Sequence, residues 1–182
     1  MMNIYGKKVY LRAMEPADME VFRQMTNDPE TERMLGGWSF PVSEKEQMQW
    51  YEKAIADKRN LRFTVVLQDS QEVIGMVNLV DIDWKNGSAF HGIRLNSKKR
   101  NGYGTDAVMA LMKYAFEELR LVRIDTTIVE NNVPSQGLYK KCGWIIEGKK
   151  KKACYKDGQF RDNYIMGITD EEYYEVKKNL GY

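Results

Sequence analysis

The chain has 182 residues, of which 43% are hydrophobic and 30% charged, which suits one core-forming domain. Lys+Arg at 28 nearly cancel Asp+Glu at 26, for a formal net charge of +2, so no nucleic-acid footprint is expected. No apolar run approaches the roughly 18–20 residues of a membrane span, so no membrane partner is expected either.

In chain order, residues 8–12 (KVYLR) alternate as a strand would. Pro16 opens a helix, since proline suits the first turn. Met19, Phe22 and Met25 follow at helical spacing. Residues 27–41, with Gly36, Gly37 and Trp38, read as irregular. Ser43 and Glu46 form a capping box for a helix running to about Asp57. Three strand-like runs follow, at 61–68, 73–83 and 88–95, the last two joined by a Lys85-Asn86-Gly87 turn. A glycine-rich turn then enters a helix whose stripe is Val108, Leu111, Met112, Ala115 and Leu119, core by default. A strand at 121–129, a short helix at 134–142 stopped by Gly143, and a hairpin of 144–156 and 159–168 come next. A helix from Asp170, its expected N-cap, closes the chain. Consecutive strands imply antiparallel pairing, and the helix between 95 and 121 implies a parallel crossover. The expected fold is a single α/β domain over 1–182, with a mixed, twisted sheet.

The opening residues MMNIYGKKVYLRAME lack the apolar core of a secretion signal. Two cysteines, Cys142 and Cys154, are too few for a disulfide framework, so the cytoplasm is the expected compartment. With a single histidine, His91, no metal constellation is expected. Cys142 reads as a small buried helix residue.

Lys99-Arg100-Asn101-Gly102-Tyr103-Gly104-Thr105 sits between strand and helix. A helix N-terminus offers free N–H groups and a positive dipole end. Glycines let the backbone approach an anion closely. Lys98, Lys99 and Arg100 add positive charge. The segment therefore suits a diphosphate or phosphorylated nucleotide ligand. A dinucleotide fingerprint (Gly102, Gly104, Ala107, with Asp125 or Glu130 as ribose acid) is disfavoured, because three consecutive strands precede it. A Walker loop is excluded, since no Gly-Lys-Ser/Thr occurs. Downstream, Asn132, Ser135 and Tyr139 share one helix face. Taken alone, they read equally well as a cap and a half-buried tyrosine.

Together, Lys99-x-x-Gly102-x-Gly104 and Asn132-x-x-Ser135-x-x-x-Tyr139-x-Lys141-x-Gly143-Trp144 resemble the two signature motifs of the GNAT superfamily of N-acetyltransferases. The segments KVYLRAMEPADME and KDGQFRDNYIMG resemble its ribosomal-protein N-terminal and spermidine acetyltransferase branch. The resemblance implies a GNAT-like fold with a splayed central strand pair and acetyl-CoA as co-substrate. The backbone of Ile93, Arg94 and Leu95 would pair with pantetheine. Lys99, Arg100, Asn101, Gly102, Tyr103, Gly104 and Thr105 would hold the pyrophosphate. Asn132, Ser135 and Lys141 would complete the coenzyme site, and Tyr139 would protonate the leaving thiolate. This chain departs from the pattern at Lys99 (usually Gln or Arg), Arg100 (usually Gly) and Trp144 (usually Phe). It has Ala89 and Phe90 where many members of the branch carry a Glu.

The expected acceptor is a primary amine, either a protein N-terminus or a small amine such as a polyamine. Asp81 and Asp83 alternate on one strand, so they are candidates to attract a cationic amine and relay its proton. Glu30 and Glu32 are further candidates, and His91 is a weaker one as base. Trp38, Trp84 and Tyr155 are candidate pocket walls. The basic run 149–152 with Lys156 reads as a solvated hairpin face or a contact for an acidic partner. A homodimer is compatible with the sequence. A non-catalytic acyl-CoA sensor is the alternative function.

Overall fold

The computed structural model describes residues 3–37, 40–96 and 101–182. The elements are β1 (Ile4–Tyr5), β2 (Val9–Ala13), a 3-10 turn (Pro16–Asp18), α1 (Met19–Thr26), α2 (Pro29–Met34), α3 (Glu44–Ala56), β3 (Leu61–Leu67), β4 (Val73–Asp83) and β5 (Ser88–Leu95). Then come α4 (Tyr103–Lys113), which ends in a π turn (Tyr114–Glu118), β6 (Arg123–Val129), α5 (Val133–Lys141), β7 (Ile145–Lys156), β8 (Gln159–Thr169) and α6 (Asp170–Leu180). The eight strands form one sheet in the order β1-β2-β3-β4-β5-β6-β8-β7. Among the described residues, only β5 and β6 pair in parallel, across the α4 crossover.

Alternation along the strands divides the sheet's two faces. In β4, Val77 and Leu79 point into a core shared with Val9, Leu11, Ile124 and the α4 residues Val108, Leu111 and Met112. Residues 107–112 of α4 are all at most 1% exposed, so this helix is enclosed, chiefly by the sheet and α5, rather than lying on a surface. Each buried Leu or Met contributes about 1.5–3 kcal/mol relative to exposure. The neighbouring β4 residue Met76 turns the other way. It packs against Met14, Met19, Phe22, Met25 and Ala54, the cluster under α1 and α3.

The expected order of elements is present, with three local differences. Residues 27–41, read as irregular, contain α2. Its cap is Asp28, whose carboxylate accepts the Thr31 N–H at 2.8 Å, and Pro29 occupies the first turn. The capping residue of α6 is Thr169, not Asp170: it forms a capping box with Glu172. A two-residue strand, β1, precedes β2.

Candidate active site

The central strand pair opens partway along. Register between β5 and β6 runs through Ser88↔Arg123, Ala89↔Ile124 and Phe90↔Asp125 and then ends, although β5 continues to Leu95 and β6 to Val129. At the apex of this split, Thr126 Oγ1 donates to the His91 carbonyl at 2.9 Å. His91 therefore directs its backbone toward β6, and by the alternation of the ladder so do Ile93 and Leu95. Arg94 faces the other way, in register with Met76 of β4. Its backbone thus belongs to the sheet, which corrects the expectation that all three residues offer backbone groups to a ligand in the split.

The mouth of the split meets the start of α4. Gly102 is the N-cap, with φ of 80° in the left-handed region that glycine adopts without strain. The first intrahelical bond is Asp106 N–H to Gly102 C=O at 3.0 Å. The amides of Tyr103, Gly104 and Thr105 precede it, and among the described residues no side chain caps them. By contrast, α2, α3, α5 and α6 are each capped by a side chain. A Cβ on Gly104 would come within 3.3 Å of Leu138 and 3.5 Å of Leu95, so the missing side chain keeps α4, α5 and β5 close. Thr105 C=O lies 4.0 Å from Sγ of Cys142, the residue that ends α5. The expected phosphate ligands Lys99 and Arg100 lie outside the described residues.

Two features of this cradle have no counterpart in the sequence reading. Asp106, 1% exposed, accepts the backbone N–H groups of Lys7 (2.7 Å), Lys8 (2.6 Å) and Val9 (2.8 Å) and the Tyr182 hydroxyl (2.8 Å). It ties the β1–β2 turn and the tail of the chain to the first turn of α4. Lys8 Nζ donates to the Asn101 carbonyl at 2.8 Å. Lys7, Lys8, Asn101 and Tyr103 line an open cleft of about 660 Å3 beside the helix start. The available signals were the Lys7-Lys8 pair before the first long strand and the acid inside the glycine-rich helix start.

Tyr139 stands at the apex end, 2% exposed. Its ring packs edge-on against His91 at 5.6 Å and Trp144 at 4.9 Å. Burial raises its pKa above the ordinary tyrosine value, partly offset by the Thr126 side chain beside its hydroxyl. Trp144, where Phe is usual, finds a partner for its indole N–H in Met112 Sδ at 3.1 Å. His91 is buried, and desolvation lowers its pKa from 6.5 to about 4. It is therefore neutral near pH 7, with Nδ1 2.9 Å from the Asn78 carbonyl and Nε2 lacking a partner. Cys142 is fully buried, and burial pushes its thiol up to about 12, consistent with an inert packing residue.

Asn132 caps α5 by accepting the Ser135 N–H at 3.1 Å, while its Nδ2 donates to the Met34 carbonyl at 2.8 Å. The end of α2 is thereby tied to the start of α5 across the split. Gly36 continues this roof: a Cβ there would lie 3.5 Å from Asn163 and 3.8 Å from Val129. Thr26, at the other end of the roof, contacts Arg94. Glu32 on α2 pairs with Lys156, a lysine only 3% exposed on the β7–β8 hairpin. Lys141 is exposed in the last turn of α5.

Asp81 and Asp83 are not part of this assembly. They sit at the β4–β5 hairpin, the end where β5 and β6 are still paired. A register shift between Val80 and Asp83 breaks the alternation, and Asp81 takes φ of 51°. Asp83 is committed to the turn, accepting from Lys85 N, Asn86 N and Asn86 Nδ2. These bonds, led by that from the Asn86 backbone, lower its pKa. Trp84 and Tyr155 are 58% and 59% exposed, and Trp38 lies outside the described residues. Among the described residues no group of three or more His, Cys, Asp or Glu side chains could hold a metal ion.

A family model described as an acetyltransferase (GNAT) domain matches residues 8–145. The SPbeta prophage-derived uncharacterized N-acetyltransferase YokL of Bacillus subtilis (strain 168) is 29% identical over 169 residues, 92% of this chain and 93% of that protein. The spermidine N(1)-acetyltransferase of Escherichia coli (strain K12) is 27% identical over 176 residues, 95% and 92% of the two chains. A spermidine N-acetyltransferase from Vibrio cholerae, solved with CoA and spermine, superposes with a TM-score of 0.85. That match covers 92% of this chain and 98% of the other at 24% identity, a likeness of fold. With the domain model spanning most of its length, this chain belongs to the GNAT family and is an acetyl-CoA-dependent N-acetyltransferase.

Proposed function

We propose that this chain, as one catalytic domain over residues 1–182 in the cytoplasm, acetylates the primary amine of a small molecule or a protein N-terminus by direct transfer. The observation that carries the reading is a continuous path. The uncapped amides of Tyr103, Gly104 and Thr105 open onto a split lined by the free backbone groups of Ile93 and Leu95, and the split ends beside Tyr139. The residues fit acetyl-CoA. Gly102, Gly104 and the flanking Lys99, Arg100 and Asn101 would take the pyrophosphate at a helix N-terminus. Ile93 and Leu95 would pair with pantetheine as an added strand does. Asn132, Ser135 and Lys141 would border the coenzyme from α5.

In the reaction, the deprotonated amine nitrogen bonds to the thioester carbonyl carbon and the C–S bond breaks. Tyr139 gives its proton to the sulfur, and the proton shed by nitrogen returns to the phenolate through water. Burial keeps Tyr139 protonated at neutral pH, as an acid requires. The N–H groups of β5 near Ile93 would polarise the thioester carbonyl. Neutral, buried His91 supports the ring of Tyr139 rather than acting as base.

The test is thiol release from acetyl-CoA across amines, polyamines, amino acids and peptides. Turnover with at least one class is the expected result. Tight CoA binding with no turnover on any acceptor would overturn transfer in favour of an acyl-CoA sensor.

A further inference from the structure

Building on that transfer reading, we infer that the acceptor carries a carboxylate, as a free amino acid does, and that Arg94 binds it. Arg94 projects from β5 between the two residues whose backbones face the split. In register with Met76, it lies on the sheet face under α1 and α3, opposite the α4 core. This is the face roofed by the chain from Thr26 to Gly36, which crosses from β5 to Val129 and Asn163. An acceptor approaching the split from beneath that roof meets the guanidinium.

Among the described residues the guanidinium has no ion-pair partner. Of its five N–H donors, Nη1 donates to Thr26 Oγ1 at 2.7 Å, and among the described residues it has no other hydrogen bond and no ion pair. The undescribed residues are Met, Trp, Ser, Lys and Arg, with no acid among them. Desolvation lowers the Arg94 pKa, and no neighbouring carboxylate opposes it. Cations this shielded are ordinarily paired. The planar fork of arginine matches a carboxylate with two parallel bonds.

A second observation has the same sign. On the hairpin side of the roof, Arg161 and Asn163 share a face of β8, since they are two residues apart. The Nε of Arg161 is buried without a partner. Glu32, the α2 acid beside this hairpin, is already neutralised by Lys156. Among the described residues, Arg94 and Arg161 thus both lack a carboxylate partner, which suits an anionic acceptor better than a polycation.

The test compares kcat/KM for free L-amino acids, their amides, spermidine and short peptides with the full chain, and repeats the series with Arg94→Gln and Arg94→Lys. Amino acids are expected to exceed their amides by roughly 100-fold, because the amide leaves the guanidinium unpaired. Arg94→Gln should erase that ratio with the KM for acetyl-CoA unchanged, and Arg94→Lys should restore part of it. Equal rates with acids and amides would overturn the inference, as would turnover confined to spermidine or peptides; both leave the transfer reading standing. Arg94→Gln raising the acetyl-CoA KM at an unchanged acid-to-amide ratio would assign Arg94 to a coenzyme phosphate instead. A lower melting temperature with the ratio intact would make Arg94 only a brace for the end of α1, and would likewise overturn it.

Discussion

Replacing Tyr139 by Phe removes one oxygen and leaves the ring in place. The ring is 2% exposed and held by edge contacts to His91 and Trp144, so packing should not change. Thr126 keeps its bond to the His91 carbonyl, so no buried hydroxyl is stranded. The stability cost should therefore be about 1 kcal/mol, the net worth of one hydrogen bond. The catalytic cost should be far larger. Loss of a positioned acid lowers rate by roughly 10²–10⁴-fold, which is about 3–5 kcal/mol of barrier. The measurement is thiol release at saturating acetyl-CoA, alongside calorimetric CoA affinity and urea unfolding of the same sample. The expected result is a collapsed kcat with CoA affinity within about threefold. The wild-type rate should also rise with pH as the amine deprotonates, with no alkaline fall from Tyr139 below pH about 10, because burial holds its proton. A variant turning over within about threefold of wild type would remove Tyr139 from the acid role. Equal losses of kcat and CoA affinity would make it a binding residue.

Three further perturbations test the supports of the site. Asp106→Asn should destabilise the fold by about 3–5 kcal/mol and raise the KM for acetyl-CoA, because an amide nitrogen would confront the N–H groups that the carboxylate now accepts; urea midpoints and initial rates read both, and a midpoint near wild type would refute the anchor. Gly102→Ala should cost about 1–2 kcal/mol, since alanine resists the left-handed conformation, whereas Gly104→Ala needs only a small shift of Leu138 and gains helix propensity; thermal melts should rank them in that order. His91 should make stability fall as pH drops from 6.5 toward 4, because the unfolded chain takes up the proton that the buried ring refuses. The full effect is about 3 kcal/mol, and His91→Leu should flatten stability over that interval in urea titrations at stepped pH.

The fold was legible because period and punctuation are local. Met19, Phe22 and Met25 recur at helical spacing and are buried together, and Val9 and Leu11 alternate into the core. Ser43 with Glu46 caps α3 as the spacing predicts. The Asp28-Pro29 start of α2 is visible in the sequence, but Gly36 and Gly37 further on argue for an irregular segment. Thr169 and Asp170 are both good caps, and only the backbone φ and ψ choose between them.

At the site, the Gly102–Gly104 helix start follows from chain geometry, whereas Tyr139 stands out only through the resemblance of its motif, since its helix face alone reads equally well as a packed tyrosine. The Asp81–Asp83 pair could not be judged in this way. A bulge breaks strand alternation without any strong mark in sequence, and the hairpin places both acids at the closed end of the strand pair. The contribution of Asp106 was equally hidden, since its partners Lys7, Lys8 and Val9 are 97–99 residues away. The sequence by itself determined most of the elements, their order and the glycine-rich helix start, all products of interactions a few residues long. Only the tertiary structure decided which backbone edges face the split, which charges are already paired, and that Arg94 is left shielded without a carboxylate. Those depend on register and on contacts between distant segments, which burial stabilises and no short motif encodes.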